Sequence, residues 1–160
     1  MTLYVQLQID DSLPELPISA ATWQAWFSCW LDRLDPPPAS SYELSLRLTN
    51  DREIQSFNAQ YRQQDRPTDI LAFAALEIEI PTMGESEEPL YLGDLVLSVE
   101  TANQQARERG HTETKELAWL AAHGLLHLLG WDHPDDESLD RMLCQQEWLL
   151  QQIDLNINSN

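Results

Sequence analysis

The segment from Leu117 to Trp131 constrains the fold of this chain more than any other. It is apolar on nearly every side of a helix and carries two histidines, His123 and His127. A helix that is apolar all round packs against several neighbours, so we expect it to be the central element of a domain. It is also shorter than the roughly 20 residues that cross a bilayer, which argues against a membrane span.

Two hydrophobic periodicities alternate along the rest of the chain. Apolar residues at every second position predict strands at Leu3–Ile9, Tyr42–Leu48, Thr68–Ile80 and Leu92–Ser98. Apolar residues at three- and four-residue steps, with caps and breakers, predict helices at Ser19–Leu34, Asn50–Tyr61, Val99–Arg109, Thr112–Leu129 and Glu137–Ile153. The tryptophan-rich stripe of the first helix is interpreted as core, because core packing alone demands that spacing.

The chain is predicted to form a single domain over residues 1–155, followed by a disordered tail at 156–160. Asn50 and Glu53 are interpreted as an N-cap and its reciprocal partner at the start of the second helix. The acidic stretch from Pro81 to Pro89 is interpreted as a solvated, mobile connection.

The charge of the chain limits the partners that it can bind. Nine Lys and Arg against 27 Asp and Glu give a formal net charge of -18, which argues against broad, non-specific binding to nucleic acid or anionic lipid. The two cysteines, Cys29 and Cys144, lie far apart and outside any C-x-x-C pattern, so a reducing cytoplasm fits best. The first ten residues carry no Lys or Arg and polar residues interrupt their apolar stretches, so we do not expect them to act as a signal peptide.

The segment H-G-L-L-H-L-L-G-W-D-H begins within the buried helix and contains His123, His127 and His133. Histidines four apart on a helix lie on one face, and Gly130 can turn the chain so that His133 returns to them. Three neutral imidazoles with an open fourth position suit Zn²⁺ best, with nickel, cobalt or copper as alternatives. The segment therefore predicts a metal site that holds one metal-bound water.

Two other interpretations of these histidines stay open. They can be core side chains satisfied by backbone partners, or they can form a closed zinc site with Asp132 or His111 as fourth ligand. The spacing also matches the zinc-protease motif H-E-x-x-H-x-x-G-x-x-H, except that Gly124 replaces the glutamate that acts there as general base. Peptide hydrolysis is therefore the less favoured chemistry.

The histidine segment resembles the signature of the YbeY family of endoribonucleases. Residues 58–73, N-A-Q-Y-R-Q-Q-D-R-P-T-D-I-L-A-F, are similar to the family's N-x-x-Y-R-x-x-D-x-P-T-D-V-L-S-F, and residues 92–98, L-G-D-L-V-L-S, are like its L-G-D-I-x-I-S strand. The departures are Ala72, where the family usually has Ser, and Ala74, where Pro is common. Neither removes a metal ligand.

The resemblance implies an α+β (α/β-like) fold, with a single mixed sheet of about four strands, about five helices and the metal motif on the central buried helix. It implies a zinc-type ion on His123, His127 and His133, and cleavage of single-stranded RNA near the ends of ribosomal RNA precursors. The family's functional arginine corresponds to Arg62, whose guanidinium can hold a phosphodiester and stabilise its transition state. The residues alone slightly favour an ion pair of Arg62 with Asp65 or Asp69, and the resemblance reverses that preference.

Three carboxylates are candidates for orienting the histidines. Asp69, Asp94 and Asp132 could each accept the distal N–H of a ligand imidazole. Because few arginines lie among many acids, we expect weak binding to naked RNA and help from the small ribosomal subunit or a ribosome-associated protein. The function hypotheses are a metal-dependent endoribonuclease in 3′ maturation of small-subunit rRNA and ribosome quality control, a zinc-braced assembly factor without activity, and a metallopeptidase.

Overall fold

The computed structural model describes residues 2–75 and 88–155. Four strands and five helices follow one another in these residues: β1 (Thr2–Ile9), α1 (Ala20–Arg33), β2 (Ser41–Thr49), α2 (Asp51–Arg62), β3 (Ile70–Ala74), β4 (Leu90–Ser98), α3 (Val99–Arg109), α4 (Glu113–Leu128) and α5 (Asp136–Gln152). The second half of the strand predicted at 68–80, most of the loop predicted at 81–89 and the tail predicted at 156–160 lie outside the described residues.

The strands form one mixed sheet in the order β1-β2-β4-β3. β1, β2 and β4 run parallel, whereas β3 runs antiparallel to β4. Parallel neighbours need a crossover connection, which α1 supplies between β1 and β2. The predicted α+β class with a mixed sheet is confirmed.

The central position predicted for the histidine helix is also observed. Most of α4 is buried, from Leu117 at its N-terminal half to Leu128 at its end. It packs on β3 and β4 and touches α3 and α5. The tryptophan-rich stripe of α1 is core as predicted, because Trp23, Phe27 and Trp30 are fully buried.

Alternate residues of β3 face two different layers, as the pleat of a strand requires. Ile70 and Ala72 pack into the main core, whereas Leu71 and Phe73 join a smaller cluster with Ile54 of α2. The histidine helix and α2 therefore cover opposite faces of the sheet.

One predicted cap is only half formed. The Asn50 side chain accepts a hydrogen bond from the Glu53 N–H at 2.9 Å, as expected of an N-cap. The Glu53 carboxylate does not return to the Asn50 backbone, because it pairs with the Arg47 guanidinium of β2. An ion pair to a neighbouring strand replaces the reciprocal bond.

None of the helices in the described residues is long and apolar enough to cross a membrane.

Candidate metal centre

The C-terminal end of α4 brings three histidines together. His123 and His127 lie one turn apart on the helix, and the chain then turns at Gly130, which has φ +96°. The turn is closed by the Trp131 N–H, which donates to the Leu126 carbonyl at 3.0 Å. This reversal carries His133 back to the other two rings.

The three imidazoles converge on one point. Their ring centroids lie 4.6, 5.7 and 5.4 Å apart, and one nitrogen from each lies within 4.8 Å of the others. The Nε2 atoms of His123 and His127 are 3.0 Å apart. Two lone pairs that face each other at this distance repel unless a proton or a cation lies between them. The site can therefore hold a metal ion.

A buried glutamine fixes the tautomer of His123. The His123 Nδ1–H donates to Gln146 Oε1 at 2.9 Å, and the Gln146 amide donates in turn to the Trp119 carbonyl at 3.3 Å. Gln146 lies on α5 and is only 1% exposed. Since the proton is on Nδ1, Nε2 keeps its lone pair and is directed at the site.

Burial favours the neutral, metal-binding form of two imidazoles, those of His123 and His127. Desolvation lowers the pKa of His123 below its ordinary value, although Gln146 opposes this shift. Desolvation also lowers the pKa of His127, and the nearby His123 and His133 lower it further. A neutral imidazole offers its lone pair without first losing a proton, so the site favours a cation over a proton.

The described residues add no further His, Cys, Asp or Glu to this group. His111, one of the predicted fourth ligands, instead lies 3.4 Å from the buried Glu116 carboxylate. Asp132 accepts a hydrogen bond from the His133 N–H at 2.8 Å. Neither of the two predicted fourth ligands therefore belongs to the histidine group as the described residues place it.

Arg62 reaches the same cleft from the end of α2. Its Nη2 donates to the Ala72 carbonyl at 2.7 Å, and its guanidinium carbon lies 5.1 Å from the centre of the Phe73 ring. Together with His123 and His127 it lines a cleft of about 510 Å³.

The ion pair considered for Arg62 is not formed among the described residues. Asp65 accepts from the Gln55 amide at 3.0 Å instead. Asp69 accepts from its neighbour, the Ile70 N–H, at 2.7 Å and from the Gln105 amide at 3.3 Å. The guanidinium therefore keeps its charge available to the cleft.

The three candidate carboxylates are placed differently. Asp69 and Asp132 line the histidine cleft. Asp94 lies on the opposite face of the sheet, where it accepts a hydrogen bond from the Tyr91 hydroxyl. The structure thus brings two of the three to the histidines, but the distal N–H of His123 donates its hydrogen bond to Gln146 and not to a carboxylate.

Gln146 is the site residue that the sequence analysis missed. A signal for it exists, because Gln146 lies between Met142 and Leu149 in the buried stripe of α5. A polar residue at a core position of an amphipathic helix needs a polar partner. The sequence does not reveal that this partner is His123.

Packing explains why Gly124 stands where zinc proteases carry glutamate. A Cβ added to Gly124 would lie 2.7 Å from a methyl group of Ile70 and 2.7 Å from one of Leu95. α4 thus approaches β3 and β4 too closely for a large side chain at this position. The cleft has no general base on α4 of the kind used by those proteases.

Known proteins are similar to most of this chain. The family model described as endoribonuclease YbeY matches residues 8–154. An endoribonuclease YbeY of Nostoc sp. is 62% identical over 146 residues, covering 89% of this chain and 79% of the relative. One from Cyanothece sp. is 55% identical over 160 residues, covering 97% of this chain and 95% of the relative.

A solution structure from Thermotoga maritima shares the fold. It superposes with a TM-score of 0.57 at 24% sequence identity and covers 95% of this chain and 89% of that one. Because the family model matches nearly the whole sequence and the relatives are more than half identical to it, the chain belongs to the endoribonuclease YbeY family.

Proposed function

We infer that this protein is a metal-dependent endoribonuclease that cleaves single-stranded RNA. The observation that carries the proposal is that Arg62 lines the same cleft as His123 and His127, the two imidazoles on which His133 converges. A phosphodiester needs both an electrophilic centre and a cation that stabilises the extra negative charge of its transition state. The endoribonuclease names of the relatives support the same reaction.

In this proposal the residues of the protein bind the metal ion and position its ligands. His123, His127 and His133 would hold the ion, which we propose to be Zn²⁺, since a set of three imidazole nitrogens suits it best. Such an ion supplies Lewis-acid chemistry and activates water near neutral pH. Gln146 keeps the His123 lone pair directed at the ion.

Arg62 binds the scissile phosphate in this proposal. Its hydrogen bond to the Ala72 carbonyl and its contact with the Phe73 ring hold the guanidinium in place before substrate arrives. A prepositioned cation stabilises charge without reorganising during the reaction. Asp69 and Asp132 act as positioning residues. Asp69 accepts from the Ile70 N–H at the start of β3, and Asp132 accepts from the His133 N–H in the turn that carries this histidine.

The biological substrate we propose is ribosomal RNA. The role is 3′ maturation of small-subunit rRNA and ribosome quality control, in the cytoplasm and together with the small subunit or a ribosome-associated protein. The net charge of -18 supports the need for such a partner, because the chain by itself offers little electrostatic attraction to a polyanion.

Cleavage of a single-stranded RNA that spans a ribosomal precursor end tests the proposal. Wild type, His127→Ala, Arg62→Ala and the control Arg141→Ala are compared with their metal content quantified. Arg141 is an exposed arginine on α5 that pairs with Glu137, so its loss changes charge without touching the cleft. Losing one oriented cation typically costs about 10²–10³ in rate, as for an oxyanion-hole donor.

Three results distinguish the hypotheses. A nuclease loses metal and activity in His127→Ala, loses activity but keeps metal in Arg62→Ala, and is unchanged in Arg141→Ala. Equal cutting by all four proteins would identify a contaminant and favour the zinc-braced assembly factor. Cleavage of a generic peptide but not of RNA would favour a metallopeptidase.

A further inference from the structure

A second cleft, of about 420 Å³, lies on the face of the sheet opposite α4 and has no role in the chemistry proposed above. One wall is aromatic and one is polar. The aromatic wall consists of Phe57, Tyr61 and Phe73, and the polar wall includes Ser45, Arg47 and Asp94.

The aromatic wall holds one ring open to solvent. The Tyr61 and Phe73 rings meet edge to face with centroids 5.4 Å apart, whereas the Tyr61 and Phe57 rings are nearly parallel with centroids 6.3 Å apart. Tyr61 nevertheless stays 53% exposed. A tyrosine that two aromatic neighbours hold in place, and that is half open to solvent, offers ring surface to a flat ligand at little cost in conformational entropy.

This wall is continuous with the histidine cleft. Phe73 contacts Tyr61 on one side and lies 5.1 Å from the Arg62 guanidinium carbon on the other. Tyr61 and Arg62 are consecutive residues at the end of α2. An RNA strand with one phosphate on Arg62 would therefore place the neighbouring nucleoside beside the aromatic wall.

The charges in the cleft favour a neutral, flat occupant over a phosphate. Arg47 is the cation of the polar wall, and it is already paired with Glu53 and with Asp10. Asp94 brings a negative charge that repels phosphate oxygens. A carboxylate accepts hydrogen bonds from the amino groups of nucleobases, and a base stacks on an aromatic ring.

We propose that this cleft binds one nucleobase of the RNA, stacked on Tyr61, while the adjoining phosphate lies on Arg62. The proposal rests on the nuclease function proposed above and adds a specificity subsite to it. Because the Asp94 carboxylate can only accept, the subsite favours adenine, cytosine or guanine, whose amino groups donate, over uracil, whose single N3–H is flanked by two carbonyl oxygens.

Nucleoside monophosphates test this subsite without any cleavage. The full-length protein is titrated with AMP, CMP and UMP, and with inorganic phosphate as the probe that lacks a base, while amide and aromatic NMR signals are followed. The variants are Tyr61→Leu, which removes the ring, Tyr61→Phe, which keeps it, and Tyr4→Leu. Tyr4 is a control because it is a similarly exposed tyrosine, on β1, outside the cleft lining.

The expected result is a loss specific to the base. Tyr61→Leu weakens AMP binding by about 5- to 140-fold and leaves phosphate binding unchanged, whereas Tyr61→Phe and Tyr4→Leu behave like wild type. CMP binds more tightly than UMP, and Asp94→Asn removes that preference.

Other outcomes overturn the subsite. Equal AMP affinities of wild type and Tyr61→Leu, or no binding of AMP to wild type, would leave this face to a different partner such as a protein. Both of these binding results are independent of catalysis. If wild type fails to cut RNA, the proposed nuclease function is wrong, and the nucleotide titration still shows whether the cleft binds a base.

Discussion

Gln146 shows how a single side chain on one helix can tune a site built on another. Its amide accepts from the His123 Nδ1–H and donates to the Trp119 carbonyl, so it can turn in neither direction without losing a bond. A neutral acceptor orients the imidazole without adding a negative charge. A metal ion held by His123 would therefore have a neutral amide, not a carboxylate, behind this ligand.

Replacing Gln146 by Leu is expected to weaken metal binding by about 10- to 100-fold, which is the usual effect of removing the hydrogen-bond partner of a ligand histidine. The variant Gln151→Leu, an exposed glutamine on the same helix, is the control. Competition with a chromogenic chelator measures both affinities. Equal affinities in the two variants would show that His123 needs no support from α5.

The histidine cluster also predicts how the stability of the metal-free protein depends on pH. The folded-state pKa values of His123 and His127 are lowered, first by burial, whereas the unfolded chain titrates at the ordinary 6.5. Below pH 6.5 the unfolded state therefore binds more protons than the folded state, and the free energy of unfolding falls. Above pH 6.5 both states are neutral and this contribution is fully present.

Urea unfolding of chelator-treated protein at several pH values between 7.5 and 5 tests this prediction. The free energy of unfolding of wild type should decrease relative to that of His127→Asn as the pH falls, because the variant has lost one of the buried imidazoles. The comparison of two proteins cancels the opposite effect of Glu116, whose pKa is raised by burial. A difference that stays constant with pH would contradict it.

An irregularity in strand β4 changes which of its side chains share a face of the sheet. Its pairing with β2 shifts register between Glu43 and Leu44, and Gly93 adopts φ +140° at this irregularity. The extra residue places Tyr91 and Asp94, three positions apart, on the same face, where the Tyr91 hydroxyl bonds the Asp94 carboxylate. Regular alternation would have put them on opposite faces.

Gly93→Ala is expected to destabilise the protein by about 3 kcal/mol, since a strained φ and overpacking each cost about 1–3 kcal/mol. A Cβ at this position would lie 2.2 Å from the Phe73 carbonyl oxygen and 2.8 Å from a methyl group of Leu128. Gly110→Ala separates the two effects, because Gly110 has φ +72° but no atom within 4 Å of an added Cβ. Chemical denaturation should show a smaller loss of unfolding free energy for Gly110→Ala than for Gly93→Ala. Equal losses would mean that the structure around Gly93 relaxes to relieve the clash.

At the scale of the whole molecule, the charge of -18 sets how RNA can bind. Each phosphate contact to single-stranded nucleic acid adds about 0.7 to the salt dependence of affinity on logarithmic axes. Because Arg62 is the arginine in the lining of the histidine cleft, we expect a shallow dependence and weak affinity.

Arg62→Ala should lower the slope of log affinity against log salt by about 0.7, which corresponds to one phosphate contact. Arg141→Ala should leave the slope unchanged. Fluorescence anisotropy with a labelled single-stranded RNA at several salt concentrations measures both. Tight binding of wild type that is insensitive to salt would contradict the expectation that a ribosomal partner is needed.

The local elements of this fold could be predicted from the sequence because their signals are local. The helix expected at Ser19–Leu34 is observed at Ala20–Arg33, with Ser19 as its N-cap. The strand expected at Tyr42–Leu48 is observed at Ser41–Thr49. Periodicity and capping depend on residues a few positions apart, which the sequence displays directly.

The sequence by itself determined the three-histidine group, because its ligands lie within a helix turn and one glycine reversal of each other. Only the tertiary structure decided that Gln146 supports His123, that Arg62 bonds Ala72 and enters the histidine cleft, and that Asp94 faces away from it. These placements depend on which helix covers which face of the sheet and on an irregular strand register. Such contacts join residues far apart in the chain, and their geometry is set by the packing of whole elements rather than by local spacing.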